Sequence, residues 1–199
     1  MMSTFCEPAV TANLIAEDCV RRVVAPKRKG CIHVYTGDGK GKTTAAFGLA
    51  MRAAGRGLSV LIIQFMKGRS ECGEIISAKR LPGILVEQFG TEDFIDADKI
   101  SEKDRRLASK GMERAKKAMG KKEADLLILD EINVAVHFGL LSTGQVLELF
   151  DARPFSMELV LTGRYAKPEI IRRADYVTEM KAKKHPFKSG QEARDGIEC

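Results

Sequence analysis

The sequence predicts an α/β protein, a parallel sheet with helices on both faces, preceded by a helical arm. Three observations predict it. Apolar, β-branched segments alternate with helix-like ones from residue 31 onward. A glycine- and lysine-rich run, Thr36 to Thr44, sits between the first such segment and an alanine-rich stretch. A later apolar run, Leu126 to Leu129, ends on two acids, Asp130 and Glu131. Strands that are nearly continuously apolar belong to sheets buried on both sides, and strand–helix alternation makes such a sheet parallel.

Residues 1–29 read as an N-terminal arm and residues 30–199 as the α/β domain. Within the arm, residues 10–24 form a short helix with Leu14, Ile15, Cys19 and Val23 near one face. Pro26 ends it, and Lys27, Arg28 and Lys29 form a basic linker. Strands are expected at 31–35, 59–65, 84–89, 125–129, 157–161 and 176–178. Helices are expected at 43–54, which stops at Gly55, at 101–119, and in shorter form at 142–150 and 168–174. The 101–119 helix opens on the capping pattern Ser101-x-x-Asp104 and closes at Gly120.

Composition narrows the function. A chain of 199 residues fits one domain with an appendage and buries enough surface, roughly 70%, to fold without a disulfide or metal staple. Its net charge of +6 suits an anionic partner, and the absence of Trp with only 6% aromatic residues argues against a base-stacking nucleic-acid surface. No run approaches the roughly 18 apolar residues of a membrane helix. The apolar stretch 9–16 follows Glu7 and precedes Arg21 and Arg22, the reverse of a secretory leader. A cytoplasmic protein without a membrane partner is expected. The five cysteines contain no CxxC pair, so reduced thiols are expected rather than a zinc site or redox pair.

The run Thr36-Gly37-Asp38-Gly39-Lys40-Gly41-Lys42-Thr43-Thr44 has the context of a phosphate loop, with a strand before it and a helix after it. The glycines let backbone N–H groups wrap an oxyanion chain, and the helix N-terminus adds positive dipole. Lys42 is the phosphate lysine, and the Thr43 hydroxyl is a Mg²⁺ ligand. Thr36 replaces the glycine usual at the first position, and Lys40 adds a second charge inside the loop. Asp130 and Glu131 end the strand that accompanies such a loop, and one of them holds Mg²⁺ directly or through water. Which acid does so is not legible from the residues. The domain is therefore expected to be P-loop NTPase-like.

The compound pattern from Thr36 to Gly48 resembles the opening of the P-loop corrinoid (cobalamin) adenosyltransferases. Supporting segments follow in order: Arg52 to Gly57, Gln64 to Gly68, Leu129 to Glu131, Leu161 to Arg164, Asp175 to Met180, Lys184 to Phe187 and Gln191 to Glu198. The resemblance spans about residues 30–198. It implies transfer of the 5′-deoxyadenosyl group of ATP to the Co(I) of a corrinoid, with triphosphate leaving. It also implies an unusual ATP orientation that presents C5′ to cobalt. ATP binding would use Thr36 to Thr44 and Arg52, with Lys42 and Lys40 steadying the leaving group. The resemblance further implies a homodimer, a reductase that supplies Co(I), and an arm that covers the active site. Phe89 matches the phenylalanine of the family's aromatic wall beside the corrin, whereas Thr91 stands where a tryptophan is usual; Phe94 reads as simple packing, with substitution by position as the alternative. The three histidines make no metal set: His33 is expected in the first strand, His137 on a helix and His185 in a loop before Pro186, with ligand contact as the lesser alternative. The competing readings are a P-loop ATPase or kinase that cleaves the γ-phosphate, and a nucleic-acid-dependent ATPase.

Overall fold

The computed structural model describes residues 29–69, 71–91, 100–186 and 190–198. The expected arm, the proposed covering role of residues 1–28, Phe94 and Phe187 lie outside these residues.

Six strands form one parallel sheet. They are β1 (Ile32–Thr36), β2 (Val60–Phe65), β3 (Ile84–Phe89), β4 (Leu126–Asp130), β5 (Glu158–Thr162) and β6 (Tyr176–Glu179), in the order β3-β2-β4-β5-β1-β6. The helices are α1 (Lys42–Ala54), α2 (Gly73–Ala78), α3 (Glu102–Lys121), α4 (Ile132–His137), α5 (Thr143–Ala152) and α6 (Pro168–Arg173). The expected strands and longer helices appear within one or two residues of their expected ends. The short α2 was not expected as an element.

The period-two alternation of side chains explains why helices cover both faces. Val60, Ile62, Leu126, Ile128 and Val160 point one way and pack on Ala46, Ala50 and Ala53 of α1. Small residues at these α1 positions let that helix lie close to the sheet. Leu61, Ile63, Phe65, Leu127, Leu129, Leu159 and Leu161 point the other way, into a larger core with Ala108, Met112, Ala115 and Met119 of α3, and with Ile132, Leu149 and Ile170 from the later helices. The edge strand β6 departs from the buried pattern: Tyr176 and Val177 are 54% and 46% exposed.

Two features align the strand ends that build the site. Gly90 lies so close to the turn after β2 that a Cβ there would stand 2.2 Å from the Lys67 backbone nitrogen. Phe65 and Phe89, paired across β2 and β3, pack on α3 where Gly111 leaves room: a Cβ at Gly111 would lie 2.8 Å from the Phe65 ring. His33 is held at the opposite end of the sheet, bonded to Glu158 at 2.6 Å and stacked on Tyr176 at 4.5 Å. Cys31 is a free thiol, whereas Cys72 is disulfide-bonded, so the expectation of reduced thiols throughout fails at Cys72.

The capping box expected at α3 is present in both halves. Ser101 Oγ accepts from the Asp104 N–H at 3.2 Å, and Asp104 Oδ2 accepts from the Ser101 N–H at 3.0 Å. Ser101→Ala should therefore cost about 1 kcal/mol, a fall of roughly 2–4 °C in the thermal midpoint. Thermal unfolding followed by circular dichroism checks this, and an unchanged midpoint would show that the box contributes nothing.

Candidate active site

The site lies at the carboxyl edge of the sheet, where β1, β2, β4 and β5 all end. The phosphate loop leaves β1 at Thr36 and enters α1 at Lys42. Gly37 and Gly41 have φ of 94° and 117°, conformations that glycine adopts without a steric penalty. The loop is braced from behind by the exit of β6. Gly39 N–H donates to the Met180 carbonyl at 2.7 Å, and a Cβ on Gly37 would stand 2.4 Å from that same oxygen. The close approach, as well as the turn, demands glycine.

Lys42 is buried and curls back over the loop. Its Nζ donates to the carbonyls of Gly37 at 2.8 Å and Gly39 at 2.7 Å. Burial pulls its pKa below the usual lysine value; the carboxylate of Glu131 opposes this, and the nearby Arg164 charge adds to it. Lys40 takes a different direction, outward to Glu198 Oε1 at 2.8 Å and the Ile197 carbonyl at 2.9 Å. The C-terminal residues are thus latched onto the loop. The Glu198 carboxyl is held down to about 2 by hydrogen bonds from Arg194 first and Lys40 second.

Asp130, fully buried, sits at the centre. Its Oδ1 accepts from Thr43 Oγ1 at 2.9 Å and Thr162 Oγ1 at 2.7 Å. Its Oδ2 accepts from Gln64 Nε2 at 3.0 Å and Lys67 Nζ at 2.8 Å. Four donors fill the roughly four lone-pair positions of a carboxylate. Burial pushes this carboxyl up, but the Lys67 charge and the hydrogen bonds from Lys67, Thr162 and Thr43 outweigh it and hold the group below the ordinary range. Burial is the largest single influence on Lys67 and lowers it, but the charges of Asp130, Glu131 and Glu74 and the Asp130 hydrogen bond together raise it above the usual lysine value.

Glu131 has a different environment. Its φ of 62° turns it out of the strand and into the cavity that the phosphate loop also lines. Burial first, and the charge of Asp130 second, push its carboxyl above the usual value.

That cavity, about 680 Å³, is lined by both cationic and apolar side chains. Lys40, Lys42, Lys67 and Arg164 supply the first kind, and Met66, Val134, Phe138 and Tyr165 the second. His185 also lines it. Arg52 does not: it lines a separate hollow with Tyr35 and Gly48, ten residues along α1 and so about 15 Å from the loop. Phe89 is packed against α3 and is not among the residues lining the cavity. Several residues of the site were not singled out from the sequence, among them Gln64 and Thr162, which bond Asp130, and two cations. Lys67 and Arg164 follow the ends of β2 and β5, and the signal that finds them is position: both stand just past a parallel strand's carboxyl end.

Asp130 and Glu131 should respond differently to neutralisation. Asp130→Asn leaves Lys67 without its buried partner and should cost on the order of 3 kcal/mol, roughly 6–12 °C in the thermal midpoint. Glu131→Gln removes a charge that the fold disfavours. A raised folded-state pKa means the ionised form costs stability at neutral pH, so this variant should melt at or slightly above wild type. It should lose Mg²⁺-dependent nucleotide affinity instead. Equal melting of the two variants would contradict the assignment.

The comparisons with known proteins agree with this geometry. A family model described as ATP:corrinoid adenosyltransferase BtuR/CobO/CobP matches residues 28–199. A corrinoid adenosyltransferase of Pseudomonas aeruginosa is 36% identical over 174 residues, covering 87% of this chain and 86% of the relative. One from Sinorhizobium is 37% identical, covering 89% and 85%, and one from Escherichia coli is 34% identical, covering 87% and 88%. Among solved structures, a KaiC-like protein from Pyrococcus horikoshii superposes with a TM-score of 0.53 at 13% identity, over 79% of this chain and 75% of that one, a likeness of fold alone. No helix among the described residues is long and apolar enough to cross a membrane. With a phosphate loop, its paired acids and relatives of nearly equal length all agreeing, the chain belongs to the ATP:corrinoid adenosyltransferase family and is a transferase.

Proposed function

We propose that this protein transfers the 5′-deoxyadenosyl group of ATP to the Co(I) of a corrinoid and releases inorganic triphosphate. The observation that carries the proposal is a cavity lined both by a complete phosphate loop, which suits a polyphosphate, and by apolar and aromatic side chains, which suit a nucleoside.

In the reaction, the cobalt electron pair forms the Co–C bond to C5′ while the C5′–O bond breaks and its electrons pass to triphosphate. Co(I) is itself a strong nucleophile, so the chain need supply no activating base. Its residues bind, align and stabilise the leaving charge. Lys42 leaves the Gly37 and Gly39 carbonyls for the phosphates, and the loop N–H groups complete the cradle. Arg164, whose charge already acts on Lys42, adds a further cation. Lys40 contributes once Glu198 gives way to the triphosphate.

Mg²⁺ fits the residues present. It is usually bound through one or two carboxylates, substrate phosphates and water. Glu131, raised in pKa and facing the cavity, and the Thr43 hydroxyl would hold it, whereas Asp130, saturated by four donors, would hold Thr43 and Lys67 in place. The ion would supply charge neutralisation on the phosphates. From the family resemblance come the remaining parts of the proposal: a cytoplasmic homodimer, an external reductase for cobalt, and Phe89 beside the corrin.

The same loop and acids also serve enzymes that cleave the γ-phosphate, and the phosphorus product separates the two. Incubation with ATP, Mg²⁺ and chemically reduced cobalamin should yield a light-sensitive alkylcobalamin spectrum and triphosphate by phosphorus NMR. Lys42→Ala should lower that rate by about 10²–10³. ADP and phosphate as the products, or a variant rate within threefold of wild type, would contradict the proposal.

A further inference from the structure

The cavity contains an aromatic stack that the phosphate chemistry leaves unused. Tyr165 and His137 lie ring on ring, with centroids 4.1 Å apart and planes 30° apart, and both line the cavity with Lys42, Thr43 and Glu131. Tyr165 is 53% exposed. The surrounding backbone is built to hold it there. Tyr165 has a φ of 62°, a left-handed conformation that costs a non-glycine residue energy. Two residues earlier, Gly163 has a φ of 125° and presses on α4, where a Cβ would stand 3.1 Å from the Val134 nitrogen. One residue later, the Ala166 N–H donates to Thr36 Oγ1 at 3.3 Å. Thr36 is the residue that departs from the usual phosphate-loop glycine, and its hydroxyl ties the Tyr165 loop to the first residue of that loop.

We propose that the Tyr165–His137 stack is the platform on which the purine base of the nucleotide lies. The inference rests on the ATP reading above and adds the base subsite to it. Half-exposed rings fixed by strained backbone are costly to maintain unless a ligand covers them. A purine presents a flat π-face of matching size, and stacking of a base on an aromatic ring is favourable. A cavity of 680 Å³ falls within the roughly 300–1,000 Å³ range of small-ligand sites and suits one nucleotide. A corrin is a puckered macrocycle with substituents projecting from both faces and does not lie flat on a single phenol ring. The platform lies on the β4–β5 side of the phosphate loop, beside Glu131.

The test is calorimetric binding to the full chain with Mg²⁺ of ATP, inorganic tripolyphosphate and cobalamin, for wild type, Tyr165→Phe and Tyr165→Ala. Tyr165→Ala should weaken ATP by about 5- to 150-fold, Tyr165→Phe should stay within about threefold of wild type, and tripolyphosphate should be unaffected by either. Its unchanged binding also shows that the variants are folded. Equal losses for ATP and tripolyphosphate would make Tyr165 a scaffold of the loop and overturn the platform. So would an unchanged ATP affinity, or a loss confined to cobalamin, which would make the stack a corrin wall. If wild type binds tripolyphosphate and cobalamin but gains nothing from the adenosine of ATP, the nucleotide reading itself fails and the platform with it.

Discussion

A single buried carboxylate organises the site. Asp130 collects a donor from the phosphate-loop helix (Thr43), one from β2 (Gln64), one from the turn after β2 (Lys67) and one from β5 (Thr162). Burying a charge is tolerated only when its partners are complete. Here completeness requires three strand ends and the start of α1 to stand at fixed distances from one carboxyl group. The constraint reaches further through Thr162, which donates to Asp130 and accepts the Glu131 N–H at 2.9 Å, so that Glu131 is aimed by the same network.

Around that centre, close backbone contacts provide the rigidity that a binding cavity needs. Met180 supports the phosphate loop from β6, Gly90 seats the Lys67 turn against the end of β3, and Gly163 seats the Tyr165 loop against α4. Each contact joins neighbouring strand ends at the carboxyl edge, where parallel sheets place their ligands. The outcome is a cavity lined by both charged and aromatic side chains. The two loop lysines bond protein oxygens, Lys42 the Gly37 and Gly39 carbonyls and Lys40 the Glu198 carboxylate. On the proposed reading, triphosphate would exchange with those partners.

The sheet, its direction and most element ends were legible in the sequence because apolar runs and glycine punctuation are local signals. The phosphate loop and the acid pair were legible for the same reason. The distinction between Asp130 and Glu131 was not, since it depends on four donors drawn from residues 43, 64, 67 and 162. The role of Thr36 was equally hidden: as a motif departure it carried no meaning until Ala166, 130 residues away, was found on its hydroxyl. Arg52 sits in a family-like segment, and in this structure it lines a hollow separate from the loop cavity, about 15 Å along α1 from the loop. Phe89 fits the family pattern, yet in this structure its visible contact is the packing against α3.

The central claim is that chemistry occurs at C5′ and leaves the phosphoanhydrides intact. The most direct measurement replaces ATP with its β,γ-methylene analogue, in which the β–γ bridge cannot be hydrolysed, and follows alkylcobalamin formation from chemically reduced cobalamin. Transfer at C5′ predicts turnover within about tenfold of that with ATP, since neither that bridge nor its cleavage enters the bond-breaking step and a tenfold change corresponds to only about 1.4 kcal/mol of barrier. Complete loss of product, with the analogue still bound at an affinity close to that of ATP, would contradict it and place the reaction at the γ-phosphate.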